Sequence, residues 1–152
     1  MRQLSEFLVE AKTSTYAAGD NAKRTKETDQ STTMIFEKGD WKYHDNYFGG
    51  EPYGGREVVL FQWKPIWMMT YYGWVEKNRS IVAGEVYRIL QWALRNIPES
   101  APYRGPLEYR NEEYVYHNSY AWNIEQFSGK EIIKQGDTIV YQAQYMGGII
   151  DQ

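Results

Sequence analysis

The chain has 152 residues, 42% of them apolar and 24% charged, with a formal net charge of −3. That length fits one domain, residues 1–152, able to bury about two thirds of its unfolded surface. The acidic balance argues against a nucleic-acid footprint spread over the domain, and with no cysteine there is no disulfide framework, thiolate metal site or cysteine nucleophile.

Leu4, Phe7, Leu8 and Ala11 stand at i, i+3, i+4 and i+7, which predicts a short amphipathic helix over 4–16, ending near Gly19. Glu6, Glu10 and Lys12 fall elsewhere on the wheel, and these charges also make the N-terminal stretch unlike a signal peptide. No apolar run approaches the roughly 20 residues needed to cross a bilayer, so the expectation is a soluble cytoplasmic protein without membrane contact. Residues 19–32 carry no large apolar side chain and read as a mobile, solvated loop; the basic run Lys23-Arg24-Thr25-Lys26 is answered at once by Glu27 and Asp29.

A strand is expected over 33–38, closed by Gly39-Asp40. From Trp41 the period becomes two, with Trp41, Tyr43 and Tyr47 on one face and His44 on the other. Residues 48–55 hold four glycines and a proline and read as a wide turn. Two strands follow, 57–63 and 66–72, with Pro65 assigned to the turn between them. Ser80 is expected to cap a helix running to Ile97, with Val82, Val86, Ile89, Leu90, Ala93 and Ile97 on one stripe and Pro98 as its stop. Residues 101–106, APYRGP, read as a rigid connector; strands resume at Tyr114, and the last hairpin turns at Asp137.

The stretch 114–149 echoes 41–75. Trp41, Tyr43, His44, Asp45 and Tyr47 fall on Tyr114, Tyr116, His117, Asn118 and Tyr120; after one inserted residue, the run from Gly55 to Val59 falls on Gly129 to Ile133, and Trp67 and Tyr71 fall on Tyr141 and Tyr145. The pattern predicts an α+β fold with a mostly antiparallel curved sheet and two helices on one face. It is expected to be built by internal duplication from two similar helix-plus-strands halves, about 1–78 and 79–152, with a groove between helices and sheet.

His44 and His117 are the only imidazoles, and no HxH, HxxxH or HExxH spacing surrounds them, so neither a metal nor a cofactor is expected. Nucleophile-elbow, phosphate-cradling and Ser-His-Asp patterns are likewise missing. The aromatic content of 16%, with 6 Trp and 14 Tyr, is large for a core alone. Trp41, Tyr43, Tyr47, Trp67, Tyr71, Tyr120 and Tyr145 are therefore expected to line a cavity for a small planar or cationic ligand. Glu57 and Glu131 open equivalent strands and would supply its counter-charge; the plainer alternative is surface pairing with Arg56 and Lys130. The leading expectation is a non-enzymatic ligand-binding domain. One alternative is an enzyme using Glu with Tyr or His as acid and base; another is an interaction module whose exposed Trp and Tyr make a homodimer.

GDWKYHDNYFGG (39–50), APYRGP (101–106), FSGKE (127–131) and YMGG (145–148) together resemble an uncharacterised bacterial domain family, a domain of unknown function that occurs alone or behind an Xre-type helix-turn-helix. The resemblance spans essentially the whole chain. It implies no catalytic residues; it implies an effector-sensing half of a regulator where a DNA-reading part precedes the domain.

Overall fold

The computed structural model describes residues 1–77 and 81–151. Helix α1 (Arg2–Ser14) runs into a 3-10 segment, Tyr16–Asn21, and then into β1 (Thr25–Lys26), β2 (Thr32–Lys38), β3 (Trp41–Gly49), β4 (Tyr53–Phe61) and β5 (Lys64–Val75). Helix α2 (Ala83–Leu94) leads through a buried segment, 101–105, to β6 (Glu108–Asn111), β7 (Tyr114–Asn123), β8 (Gln126–Gln135) and β9 (Thr138–Ile149). All nine strands form one antiparallel, curved sheet in the order β1-β2-β3-β4-β5-β9-β8-β7-β6.

Alternation sends one side chain in two to the covered face: Tyr43, Asp45, Glu57, Val59, Trp67, Met69 and Tyr71 from one wing, and Tyr116, Asn118, Glu131, Ile133, Tyr141 and Tyr145 from the other, all buried. The opposite face carries exposed Tyr72 and Met146. The wings meet where β5 pairs with β9, Tyr71 opposite Tyr145. That seam needs Gly147, because a Cβ there would stand 2.1 Å from the Met68 carbonyl oxygen and 2.8 Å from Met69 Cα.

The expected α+β architecture of two helix-plus-strands halves is overturned by this single nine-stranded sheet. One helix of 13 residues lies at the N-terminus and the other has 12. Each is about 20 Å long at 1.5 Å per residue, whereas nine strands spaced ~4.8 Å apart extend over about 38 Å. Two such helices are too small to form the covering layer. The 3-10 segment, the 101–105 segment and the sheet's own aromatic rings complete it.

Several local expectations shift as well. The 19–32 loop is partly structured: β1 pairs with β2, and Asp29 Oδ1 accepts from the Ser31 amide and hydroxyl at 2.9 and 2.6 Å. The β4–β5 hairpin turns at Gln62-Trp63, with φ of 50° and 66°, while Pro65 lies inside β5 opposite Leu60, beside a bulge. The Ser80 cap lies outside the described residues. Helix α2 starts at Ala83 and ends at Leu94, short of Ile97. The connector expected over 101–106 is largely interior, with Ala101, Tyr103 and Arg104 all buried.

Candidate functional site

Five charged side chains are buried among the described residues: Lys12, Asp45, Glu57, Arg104 and Glu131. Their positions follow from strand parity and register. Asp45 shares the covered face of β3 with Tyr43 and Tyr47, and pairing sets it opposite Glu57 of β4, as Asn118 of β7 stands opposite Glu131 of β8.

Lys12 reaches this face from α1. Its Nζ lies 2.5 Å from Glu57 Oε2, donates to the Tyr103 carbonyl at 2.6 Å, and sits 5.6 Å from the Trp67 ring centre. Burial lowers the Lys12 pKa, and the Glu57 charge opposes that shift. Arg104 closes the other side. Its Nε and Nη2 donate to Glu131 Oε1 at 3.0 and 2.6 Å, and its guanidinium lies 5.7 Å from the Tyr71 ring centre. Tyr116 and Tyr141 also donate to Glu131, at 2.7 and 2.9 Å, and the Tyr53 and Tyr141 hydroxyls stand 2.5 Å apart.

Asp45 differs from the other two carboxylates. It accepts from the Tyr71 hydroxyl at 2.5 Å, and among the described residues it makes no ion pair. Burial first, and the neighbouring Glu57 charge second, push its carboxyl up to about 7, against the hydrogen bond from Tyr71 and the charges of Lys12 and Arg104. In the other wing the corresponding group is neutral: Asn118 Oδ1 accepts from Tyr145 at 2.7 Å and Asn118 Nδ2 donates to the Gly105 carbonyl at 2.9 Å.

Above Asp45 and Glu57 lies a cavity of about 200 Å³, walled by Tyr16, Tyr43, Tyr47, Tyr53, Tyr71 and Tyr87 and floored by the charged groups. Exposed Gly49 and Gly50 mark its opening. Of the residues expected to bind a ligand, Tyr43, Tyr47, Glu57 and Tyr71 come together here. The others do not. Trp41 packs between Phe7 and Phe61, at 5.3 and 4.7 Å. Trp67 is wholly buried beneath Lys12 and stacked on Phe127 at 5.7 Å. Glu131 is buried beside the cavity under Tyr116, Tyr141 and Arg104, whereas Tyr120 and Tyr145 line, with Tyr71, a separate and shallower hollow, Tyr120 standing edge-on to Tyr103 at 5.3 Å. Surface pairing of the glutamates with Arg56 and Lys130 does not occur; their partners are Lys12 and Arg104.

Lys12, Asp45, Arg104, Tyr16, Tyr53 and Tyr87 are cavity residues that the sequence reading did not nominate. Parity alone would have added Asp45, which stands between Tyr43 and Tyr47 on one face. Lys12, expected away from the apolar face of α1, lies four residues after Leu8 and is buried with it. The histidines lie elsewhere: His44 is half-buried on β3, its pKa lowered by burial and then by Arg56, and His117 Nδ1 is 3.6 Å from Glu108 Oε2. Among the described residues no three His, Cys, Asp or Glu side chains converge as a metal cage, and no helix is long and apolar enough to cross a membrane.

A family model described as "Domain of unknown function (DUF5680)" matches residues 45–150, a stretch that opens on Asp45 and includes Glu57, Tyr71 and Arg104. No curated protein and no solved structure matches the chain.

Proposed function

The chain belongs to the Domain of unknown function (DUF5680) family, and on that premise we propose that it is a non-enzymatic small-molecule-binding domain of the effector-sensing type. The ligand sits in the cavity between α1, the 101–105 segment and the covered face of β3 to β5. What carries this reading is a partly enclosed space of about 200 Å³ with tyrosine walls and a floor of Asp45, Glu57, Lys12 and Arg104. Few convergent polar groups under aromatic walls are the usual composition of a small-molecule site. Burying charge is costly when apolar packing would serve the fold as well, so five charges in one core favour a role beyond stability. In a bacterial cytoplasmic regulator, behind or beside an Xre-type helix-turn-helix, occupancy of this cavity would be the signal passed on.

A fragment screen tests the reading. A ligand at a hundred times its Kd is expected to stabilise the fold by about 2.7 kcal/mol, seen as a thermal shift with amide chemical-shift changes around Tyr47, Tyr53 and Tyr71. Ala17→Leu, which places a larger side chain in the cavity wall, is expected to abolish the effect. A library that shifts neither melting nor spectra overturns the proposal.

One observation favours a second reading, acid-base catalysis: the Asp45 carboxyl, raised to about 7, stands 2.5 Å from the Tyr71 hydroxyl inside an open cavity. Glu131 has tyrosines within reach too, but it is fully buried and engaged by Arg104. Under this reading a turnover rate titrates with an apparent pKa near 7 and is lost in Asp45→Asn and Tyr71→Phe. A turnover indifferent to both substitutions rejects it.

A further inference from the structure

Building on that ligand-binding reading, we propose that the cavity selects a monocyclic amine carrying one positive charge, its ammonium group received by the Asp45 carboxylate.

The buried set holds three carboxylates and two cations. Lys12 is taken by Glu57 at 2.5 Å and Arg104 by Glu131 at 2.6 Å, which leaves Asp45 as the odd acid. Among the described residues, the titratable and charged groups that share the cavity with it are Lys12 from α1, Tyr16 from the 3-10 segment, Tyr53 and Glu57 from β4, Tyr71 from β5, Tyr87 from α2, Tyr103 and Arg104 from the 101–105 segment, and Tyr43 and Tyr47 from its own strand. Its partner on β2 is the buried, apolar Met34.

With Asp45 protonated the set is neutral. A monocation in the cavity lets Asp45 ionise while the set with its ligand stays neutral. An anion would add negative charge beside carboxylates whose cations are already engaged, and would keep Asp45 protonated without gaining a partner for it. The tyrosine walls supply the second half of the recognition, since an ammonium held against the face of an aromatic ring gains attraction from the ring quadrupole.

Size sets the rest. A cavity of roughly 150 Å³ holds a benzene ring, so about 200 Å³ admits one ring with a short aminoalkyl arm. Uptake then exchanges a proton for the ligand's charge. With the Asp45 carboxyl at about 7, binding is expected to release about one proton per ligand at pH 6 and close to none at pH 8, and to weaken about tenfold across that range as pH falls.

Calorimetry on the whole chain tests this with three isosteric probes: benzylamine, benzyl alcohol and benzoate. Titrations run at pH 6 and pH 8, each in two buffers of different ionisation enthalpy, so that the proton count is read from the unaltered protein. Benzylamine is expected to bind best, to release the proton at pH 6, and to bind at least tenfold more weakly to Asp45→Asn, whose folding is checked by near-UV circular dichroism. If benzyl alcohol or benzoate binds more tightly than benzylamine, amine selection is overturned while the ligand-binding cavity stands. Benzylamine binding without proton release, or equally to Asp45→Asn, also overturns the role of Asp45. If none of the three binds and no fragment shifts the melting temperature, both the selection and the cavity reading fall.

Discussion

Glu131→Leu is expected to cost about 3 to 5 kcal/mol of folding stability, a large fraction of what a domain of this size holds. Glu131 is fully buried and receives four hydrogen bonds, two from Arg104 and one each from Tyr116 and Tyr141. Removing it leaves the Arg104 guanidinium, itself buried, without its counter-ion, and an uncompensated buried charge costs far more than the pair contributes. The tyrosines lose less. Tyr116 still accepts from the Gly105 amide at 3.0 Å, and Tyr141 keeps its Tyr53 partner at 2.5 Å. Adding Arg104→Met to Glu131→Leu is therefore expected to recover most of the loss, because the double variant exchanges an ion pair for apolar volume rather than orphaning half of it. Urea unfolding followed by tryptophan fluorescence measures both. A single variant within about 1 kcal/mol of the parent would mean that the pair is hydrated, and a double variant as unstable as the single would mean that something other than charge holds this region.

How much of this was legible in the sequence depends on whether the deciding interaction is local. The two-residue period of β3 is a local property, and it placed Tyr43 and Tyr47 on the covered face, with Glu57 and Tyr71 joining them in one cavity. Arg104 was illegible for the opposite reason. It lies in a run of Pro and Gly that reads as surface, and the partner it meets in the interior, Glu131, lies on β8, a separate element later in the chain. Lys12 hid in the same way, since its partner Glu57 belongs to a different element. The architecture was misread because two helical patterns, each followed by strands, suggested two equal layers. No local period encodes that β5 pairs with β9 to make the sheet continuous. Pro65 was assigned to the turn on general preference, but the turn is made by positive φ at Gln62 and Trp63, residue types that give no such signal. Trp41 has the right parity and the wrong place: it lies at the start of β3, under α1, where Phe7 and Phe61 claim it.

Asp45→Asn is expected to raise stability above pH 7 by about 2 to 4 kcal/mol, an unusual sign for a substitution in a core. The reason is linkage. Asp45 is raised from the ordinary aspartate value of 3.8 to about 7 in the folded chain, so between those values the unfolded state has released the proton and the folded state still holds it. Stability therefore falls as pH rises: the contribution of the protonated carboxyl is complete below about 3.8, declines through the interval, and is gone above about 7. The full decline is at most ~4 kcal/mol at 1.36 kcal/mol per pKa unit. Asparagine removes the ionisation while keeping an oxygen for the Tyr71 hydroxyl, an arrangement the other wing already contains in Asn118 and Tyr145. Urea unfolding of parent and variant at pH 5, 6, 7 and 8 gives the two curves. The parent is expected to lose stability across this range, with the variant flatter and the gap widest at pH 8. A parent more stable at pH 8 than at pH 5, or a variant less stable than the parent at pH 8, would sink the assignment of Asp45 as a strained acid. If the gap appears, the fold carries at this position a carboxyl that asparagine would improve upon, and its stability cost is the one that an ammonium ligand paired with the ionised carboxylate would offset.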